Sequence, residues 1–444
     1  MKINMYYRIA ILFLVLSSLT AVAQVQRTTL YVNGRYLYTP CDEKVVIRGV
    51  NKMIVWTGNL NLRKATYGEI RKTGANCVRI VWLVNPGQNE VDAGPDGLDK
   101  TIQDCIDNKM IPMVELHDAT GYWPGLQQCV DYWISPAVLN VVKKHEKYLL
   151  LNIANECGDE KVSDALFKAG YENAINQIRA AGIKCPLVID ASDWGKNLGQ
   201  LRNTGQYLVN IDSEHNLLFS VHMYWAVSDG ADAAYITNEL QQSVDMNLPF
   251  IVGEFSYKFN RGKECTLETD YNAIIKMCRE NEIGWLAWEW GPGNEFADPT
   301  CDIMNMTMDS YFNTLKDTWA KVVAETSPYS IQNTSVTSKY ILNGGKCETS
   351  SVDDYANNEI QISANPNPFS EATIITLNLP GAKNLKIMIY NNLGQLVLSS
   401  AEGYYERGTL DFKIDLGKFN DNGVYYCVYS DMTQTKSLML NLVK

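Results

Sequence analysis

Leu149-Leu150-Leu151-Asn152-Ile153-Ala154-Asn155-Glu156 is an apolar run of strand length that ends in two polar side chains, and Pro249-Phe250-Ile251-Val252-Gly253-Glu254 has the same design. They belong to a series. In chain order, short β-branched runs fall at about Lys44 to Val50, Asn76 to Trp82, Ile111 to His117, Tyr148 to Asn155, Leu187 to Asp190, Leu217 to Tyr224, Pro249 to Glu254 and Gly284 to Trp288. Between them lie amphipathic stretches such as Asp159 to Ala181, where Ala165, Leu166, Ala169, Ala174, Ile175 and Ile178 recur near helical spacing. Alternation of this kind predicts parallel strands wrapped by helices, and eight repeats over roughly 250 residues predict a closed (β/α)8 barrel rather than an open sheet.

Polar residues fall where such a barrel would use them. Arg79 lies in the second run, His117 closes the third, Asn155 and Glu156 the fourth, His222 and Tyr224 the sixth, Glu254 the seventh and Trp288 the eighth. The carboxyl ends of barrel strands converge on one mouth, so these residues are expected to meet there. Glu156 and Glu254 then form a pair of facing carboxyls. Glycoside hydrolysis needs such a pair, one protonated to donate to the leaving oxygen and one ionised to attack or to activate water. Arg79 is the expected cation beside the ionised partner and Tyr224 an expected hydrogen-bond donor to Glu254. A strand-end glutamate that only caps or pairs is the alternative for each taken singly.

Composition narrows the partners. The 444-residue chain carries a formal charge of −11 and no run of clustered Lys and Arg, which disfavours a nucleic-acid groove. Its ten Trp and 25 Tyr suit stacking on the apolar faces of sugars as well as core packing. The four histidines (His117, His145, His215, His222) show no metal-ligand spacing with one another or with the cysteines, so metal binding is disfavoured, and hydrolysis by two carboxyls would require no cofactor. Lys2 and Arg8, the apolar run from Ile9 to Leu16 and Ala21-Val22-Ala23 read as a signal peptide over residues 1–23. The eleven cysteines form no C-x-x-C pair; at least one stays free, and Cys265 with Cys301 is the pairing suggested by their loop-like setting.

The strand-end motifs resemble a known family. Asn155-Glu156, His222-Met223-Tyr224, Gly253-Glu254-Phe255 and Trp285-Leu286-Ala287-Trp288 are similar to glycoside hydrolase family 5 over about residues 27 to 320. Glu115 to Gly121, Asp131 to Ile134 and Val188 to Gly195 resemble its bacterial endo-β-1,4-mannanase subgroup rather than the cellulases. The resemblance implies Glu156 as acid/base and Glu254 as nucleophile of a retaining reaction on an extracellular mannan, glucomannan or galactomannan. It also implies substrate or carboxylate contacts for Arg79, His117, Asn155, Trp194, His222, Tyr224 and Trp288, with Trp56 in a further subsite. Two positions depart from the family: Cys157 follows Asn155-Glu156 where Pro is usual, and Glu289 stands between Trp288 and Trp290. An endo-β-1,4-glucanase and a non-catalytic glycan-binding protein on the same scaffold are the competing readings.

After about Thr318 the alternation stops. The barrel domain is expected over residues 24–335, a Ser-, Thr-, Asn- and Gly-rich linker over 336–359 and a small all-β sandwich over 360–444. Asn365-Pro366-Asn367-Pro368-Phe369, Ile389 to Gln395 and the closing Thr433 to Lys444 resemble the sorting domain of type IX secretion, implying that machinery as a partner of an exported enzyme, which is separately expected to be a monomer. A carbohydrate-binding module is the alternative for this segment.

Overall fold

The computed structural model describes residues 27–55, 61–84, 94–296, 298–347, 361–379, 383–399, 403–405, 408–417, 422–430 and 435–443. The expected signal peptide, Trp56 and residues 348–359 of the expected linker lie outside them. The chain divides into two compact units, Met1–Cys347 and Glu348–Lys444.

Eight parallel strands close the first unit into a barrel: β1 (Arg48–Lys52), β2 (Cys77–Trp82), β3 (Ile111–Leu116), β4 (Leu150–Asn152), β5 (Leu187–Asp190), β6 (Leu217–His222), β7 (Phe250–Glu254) and β8 (Gly284–Ala287). Neighbours pair in chain order, and β8 returns to β1. Period-two alternation assigns each residue a face. Outward residues such as Val78, Ile80, Val114, Leu151, Ile189, Phe219 and Val252 pack under the helices, in one core with Ile102, Val142 and Ile175. Inward residues Cys77, Met113, Leu150, Val188, Leu218, Ile251 and Leu286 form a second apolar layer. The next inward position along several strands is polar and fully buried: Asn51, Arg79, Glu115, Asn152, Asp190 and Ser220. That polar layer is the floor of the mouth.

Several boundaries differ from the sequence reading. Lys44–Val45 belongs not to β1 but to an antiparallel sheet with Tyr31–Asn33 and Tyr36–Tyr38, whose Leu37 and Val45 pack against the inner apolar layer. The fourth strand is short, so Asn155 and Glu156 lie beyond its ladder. The helix expected from Asp159 starts at Asp164, where the Ser163 side chain accepts from the N–H of Leu166 and caps it. Leu166 is 45% exposed rather than core.

Residues 336–347 are not linker. Lys339–Leu342 is a helical turn whose Tyr340 and Ile341 are buried with the inner layer, and both oxygens of Glu43 accept backbone N–H groups from Lys339 and Tyr340. Cys347 is disulfide-bonded to Cys41, so the barrel unit runs past 335. The suggested Cys265–Cys301 disulfide is also formed. The seven other cysteines are buried thiols.

The second unit has two antiparallel sheets. One joins Gln361–Asn365, Ala372–Leu379 and Gly408–Asp415; the other joins Leu396–Ser399, Lys383–Asn391, Gly423–Ser430 and Thr435–Leu442, with Gly403–Tyr405 pairing to Lys383–Asn391. Ile375 and Leu377 from the first meet Ile387, Ile389, Cys427 and Leu440 from the second in one core, as in a sandwich.

Candidate active site

Arg79 organises the floor. Its side chain is fully buried, and all five N–H donors find acceptors. Nη1 donates to Glu254 Oε1 at 2.7 Å and Asn51 Oδ1 at 3.1 Å. Nη2 donates to Asn155 Oδ1 at 2.7 Å and Asp190 Oδ2 at 3.1 Å, and Nε to Asn152 Oδ1 at 3.0 Å. Glu115 lies 3.8 Å from Nη1, and the surrounding acids hold the guanidinium's pKa above its ordinary value against the cost of burial.

Glu254 and Glu156 stand above this floor. The ladder between β6 and β7 breaks between Val252 and Glu254, which releases the Glu254 side chain from strict alternation. Its second oxygen accepts from the Tyr224 hydroxyl at 2.8 Å. Glu156 has a left-handed backbone, φ 45°, an uncommon conformation for a residue with a Cβ. Its N–H donates to Asp190 Oδ2 at 3.1 Å, its carbonyl accepts from Gly121 N–H at 2.9 Å, and His222 Nδ1 lies 2.7 Å from its Oε1.

The two carboxyls differ in electrostatic setting. Burial raises the pKa of Glu156 well above the carboxylate range, and the charges of Glu254 and Asp190 add to that shift. Burial also raises the Glu254 pKa, but Arg79, His117 and the Tyr224 hydrogen bond pull it down, leaving it at about 7. Of the two, Glu156 therefore keeps its proton longer. His222 is held neutral, its pKa lowered by burial and then by Arg79 and His117.

A cleft of about 1020 Å³ opens over the pair, lined among others by Met53, His117, Trp194, Tyr224, Phe259 and Trp288. Trp288 lies near the His117 ring, centroids 6.0 Å apart, and donates to Asn294 Oδ1 at 2.9 Å. His117 Nδ1 sits 2.8 Å from Glu115 Oε1. Trp194 is 40% exposed in the cleft wall, and a Cβ on Gly121, itself at φ 65°, would collide with the Trp194 indole. Arg79, Asn155 and His222 do not line the cleft; they are fully buried behind the carboxyls. Asn155 donates its amide N–H to Thr120 Oγ1 at 2.8 Å, and its Oδ1 accepts from Arg79 Nη2. Trp82, fully buried, donates to the Tyr132 hydroxyl and is core, while Trp123 is partly buried and packs on Phe167 and Tyr171 at the edge of that core.

Sequence reasoning had not singled out Asp190, Glu115, Asn152 and Asn51 as site residues, nor Met53, Lys196, Phe259 and Asn294 in the cleft wall. A polar side chain inside an apolar strand was the available signal for Glu115 and Asn152. Glu156, His222 and Glu254 offer ligand atoms within 4.8 Å of one another, the kind of spacing that can hold a cation. Arg79 already occupies Glu254 Oε1, so a second cation there would meet its charge.

The two departures from the family pattern point away from the cleft. The Cys157 thiol is buried, pushed up to about 12, and lies against the carbonyls of Tyr122 and Trp123. Glu289, also buried, accepts the N–H of Met53 at 3.0 Å. Lys52, wholly buried beside it, donates to the Gly291 carbonyl at 2.7 Å, and the two charges stabilise each other against burial. Lys52→Met is expected to cost about 3 kcal/mol in urea unfolding, because it strands a buried carboxylate. Adding Glu289→Gln to that variant is expected to recover part of the loss; a double variant no more stable than the single one would show that the two groups are uncoupled.

Comparison with known proteins agrees with this geometry. Residues 40–294 match the family described as cellulase (glycosyl hydrolase family 5), and residues 363–441 match a secretion system C-terminal sorting domain. The latter marks the chain for type IX secretion, to the cell surface or beyond. A mannan endo-1,4-β-mannosidase of Salipaludibacillus agaradhaerens is 33% identical over 262 residues, which are 59% of this chain and 80% of that protein. One from Cellvibrio japonicus is 30% identical over 279 residues, 62% of this chain and 61% of that protein. Among solved structures, the mannotriose complex of Thermomonospora fusca β-mannanase superposes with a TM-score of 0.61 at 29% identity, over 71% of this chain and all (100%) of that one. A closed barrel with a glutamate just past β4, a second ending β7, and a family match over most of that barrel make the chain a member of glycosyl hydrolase family 5.

Proposed function

We propose that this chain is a retaining endo-β-1,4-mannanase acting outside the cell, with Glu156 as acid/base and Glu254 as nucleophile. The observation that carries the reading is the spacing of the two carboxyls, which have oxygens within 4.8 Å of each other. Retaining glycosidases hold theirs about 5–5.5 Å apart, whereas inverting ones leave about 6.5–9.5 Å for a water. In the first step Glu254 attacks the anomeric carbon and forms an ester as Glu156 gives its proton to the departing glycosidic oxygen. In the second, Glu156 takes a proton from water, the hydroxide attacks the same carbon, and Glu254 leaves as carboxylate. Arg79 and Tyr224 favour the Glu254 anion and orient it; His222 holds the Glu156 carboxyl from behind, and Asn155 holds Arg79; Trp288, His117 and Trp194 contact the sugars. The enzyme works without metal or cofactor and as a monomer, exported through an N-terminal signal peptide before its sorting domain acts.

Mannan as the substrate rests on the names of the relatives. The purified chain is expected to release reducing ends from β-mannan and konjac glucomannan at least about ten times faster than from carboxymethylcellulose, a preference of about 1.4 kcal/mol in transition-state binding. Cleavage of carboxymethylcellulose alone would make it an endoglucanase, and cleavage of neither a glycan-binding protein on a family 5 scaffold.

A further inference from the structure

Asp190, the last residue of β5, is fully buried, and no part of the double displacement described above uses it. Its Oδ2 accepts the backbone N–H of Glu156 at 3.1 Å and Arg79 Nη2 at 3.1 Å, and lies 3.5 Å from His222 Nε2. Its Oδ1 accepts from Asn152 Nδ2 at 3.2 Å. One carboxylate thus touches the backbone of one candidate catalytic glutamate, the arginine that pairs with the other, and the histidine bonded to the first. We propose that Asp190 is a positioning residue for Glu156, holding its backbone in the left-handed conformation that presents its carboxyl to the glycosidic oxygen.

The physical case starts from the backbone. A non-glycine residue at φ 45° is strained and persists only where its surroundings determine it. Two bonds do so here, the Gly121 N–H to the Glu156 carbonyl and the Glu156 N–H to Asp190. The second is the stronger, because its acceptor is a carboxylate. Chemistry supplies a second link. Glu156 faces Arg79 on β2, Glu115 on β3, His222 and Tyr224 at and after β6, Glu254 on β7 and Asp190 on β5, and shares the cleft lining with His117. Within that set Asp190 is a negative charge that favours the protonated form of Glu156, the form that can donate. Asp190→Asn keeps an acceptor for the Glu156 N–H and removes the charge; Asp190→Ala removes both.

This inference rests on Glu156 being the acid/base, and leaving-group dependence separates the two claims. A dinitrophenolate leaves without protonation, whereas a sugar hydroxyl requires it. In the full-length chain, Asp190→Ala is expected to lower kcat/KM on mannotetraose by about 100-fold, within the usual value of general-acid catalysis. On dinitrophenyl β-mannobioside the loss is expected to be severalfold only. Asp190→Asn is expected to lose less on mannotetraose and to move the alkaline limb of kcat/KM to lower pH, because removing a negative charge favours the Glu156 carboxylate. Equal losses on both substrates, or losses with the limb unmoved and a lowered Tm, would reduce Asp190 to a structural residue. Glu156→Ala is the control. If it loses equally on both substrates, the acid/base assignment falls and the proposal with it; if it shows the leaving-group bias and Asp190→Ala does not, only the proposal falls.

Discussion

Glu254→Ala is expected to lower kcat/KM on mannan by about 10⁴-fold or more, the scale on which removal of a covalent nucleophile acts, while the fold survives. The barrel tolerates the change because the side chain stands at the mouth, above the packed layers, and its loss leaves Arg79 with Asp190 and Glu115 still beside it. Activity does not tolerate it, since without the carboxylate no glycosyl ester forms and attack by water lacks a positioned base on that face. Azide separates this from mere damage. In the space vacated by the carboxylate it is expected to attack the anomeric carbon directly, displacing the leaving group with one inversion and giving an α-glycosyl azide. In Glu156→Ala the ester still forms from a substrate with a good leaving group, and azide then opens it by a second inversion to a β-glycosyl azide. Opposite anomers from the two variants would fix both roles; the same anomer from both, or hydrolysis undiminished in Glu254→Ala, would overturn them.

The pair was legible in the sequence because topology does the work of juxtaposition. A glutamate just past the fourth strand and another ending the seventh must meet once eight parallel strands close, whatever the details of packing. Depth was not legible. Arg79 lies beside Glu254 as expected, but Asn155 read as a residue that would touch sugar and His222 as one that would touch sugar or hold a glutamate. All three are fully buried, because position along a strand does not say how far below the rim a side chain sits. Asp190 and Glu115 face inward only by virtue of a strand register that pairs Asp190 with Ser220 and Glu115 with Asn152, and register is a property of neighbours distant in sequence. The segment after Ser335 misled for a related reason. Its Ser, Thr, Asn and Gly content suits a linker, but Tyr340 and Ile341 have an apolar layer to enter and Cys347 has Cys41 to bond, both supplied by residues far back along the chain.

Arg79→Met is expected to damage stability and chemistry together, and pH separates the two effects. Arg79 lies within 4 Å of Glu254, Asp190 and Glu115, at 2.7, 3.1 and 3.8 Å, and it donates to three asparagines as well. Methionine fills much of the volume and supplies none of the charge, so three buried acids lose their counter-ion at a cost of about 3–5 kcal/mol near neutral pH. Glu254 and Asp190 already have folded-state pKa values raised by burial, and without the cation both rise further above their unfolded values. A group of that kind contributes stability that is present at low pH and lost as pH rises through the folded pKa. The deficit of Arg79→Met relative to the parent is therefore expected to be largest above pH 7 and to shrink towards pH 4, where the carboxyls bind protons in both states. The same shift acts on catalysis with a definite sign. Arg79 pulls the Glu254 pKa down against burial, and the balance of the two with the other neighbours stands at about 7. Removing it protonates the nucleophile, moves the acid limb of kcat/KM to higher pH and lowers activity at neutral pH by about 10³-fold, given that a developing or fixed charge in a dry site is worth several kcal/mol. Arg79→Lys restores one charge but not five donors in a fixed fork. It is expected to recover part of the stability and leave the acid limb between the two. A Met variant whose acid limb stays in place would show that Tyr224 and His117, rather than Arg79, keep Glu254 ionised.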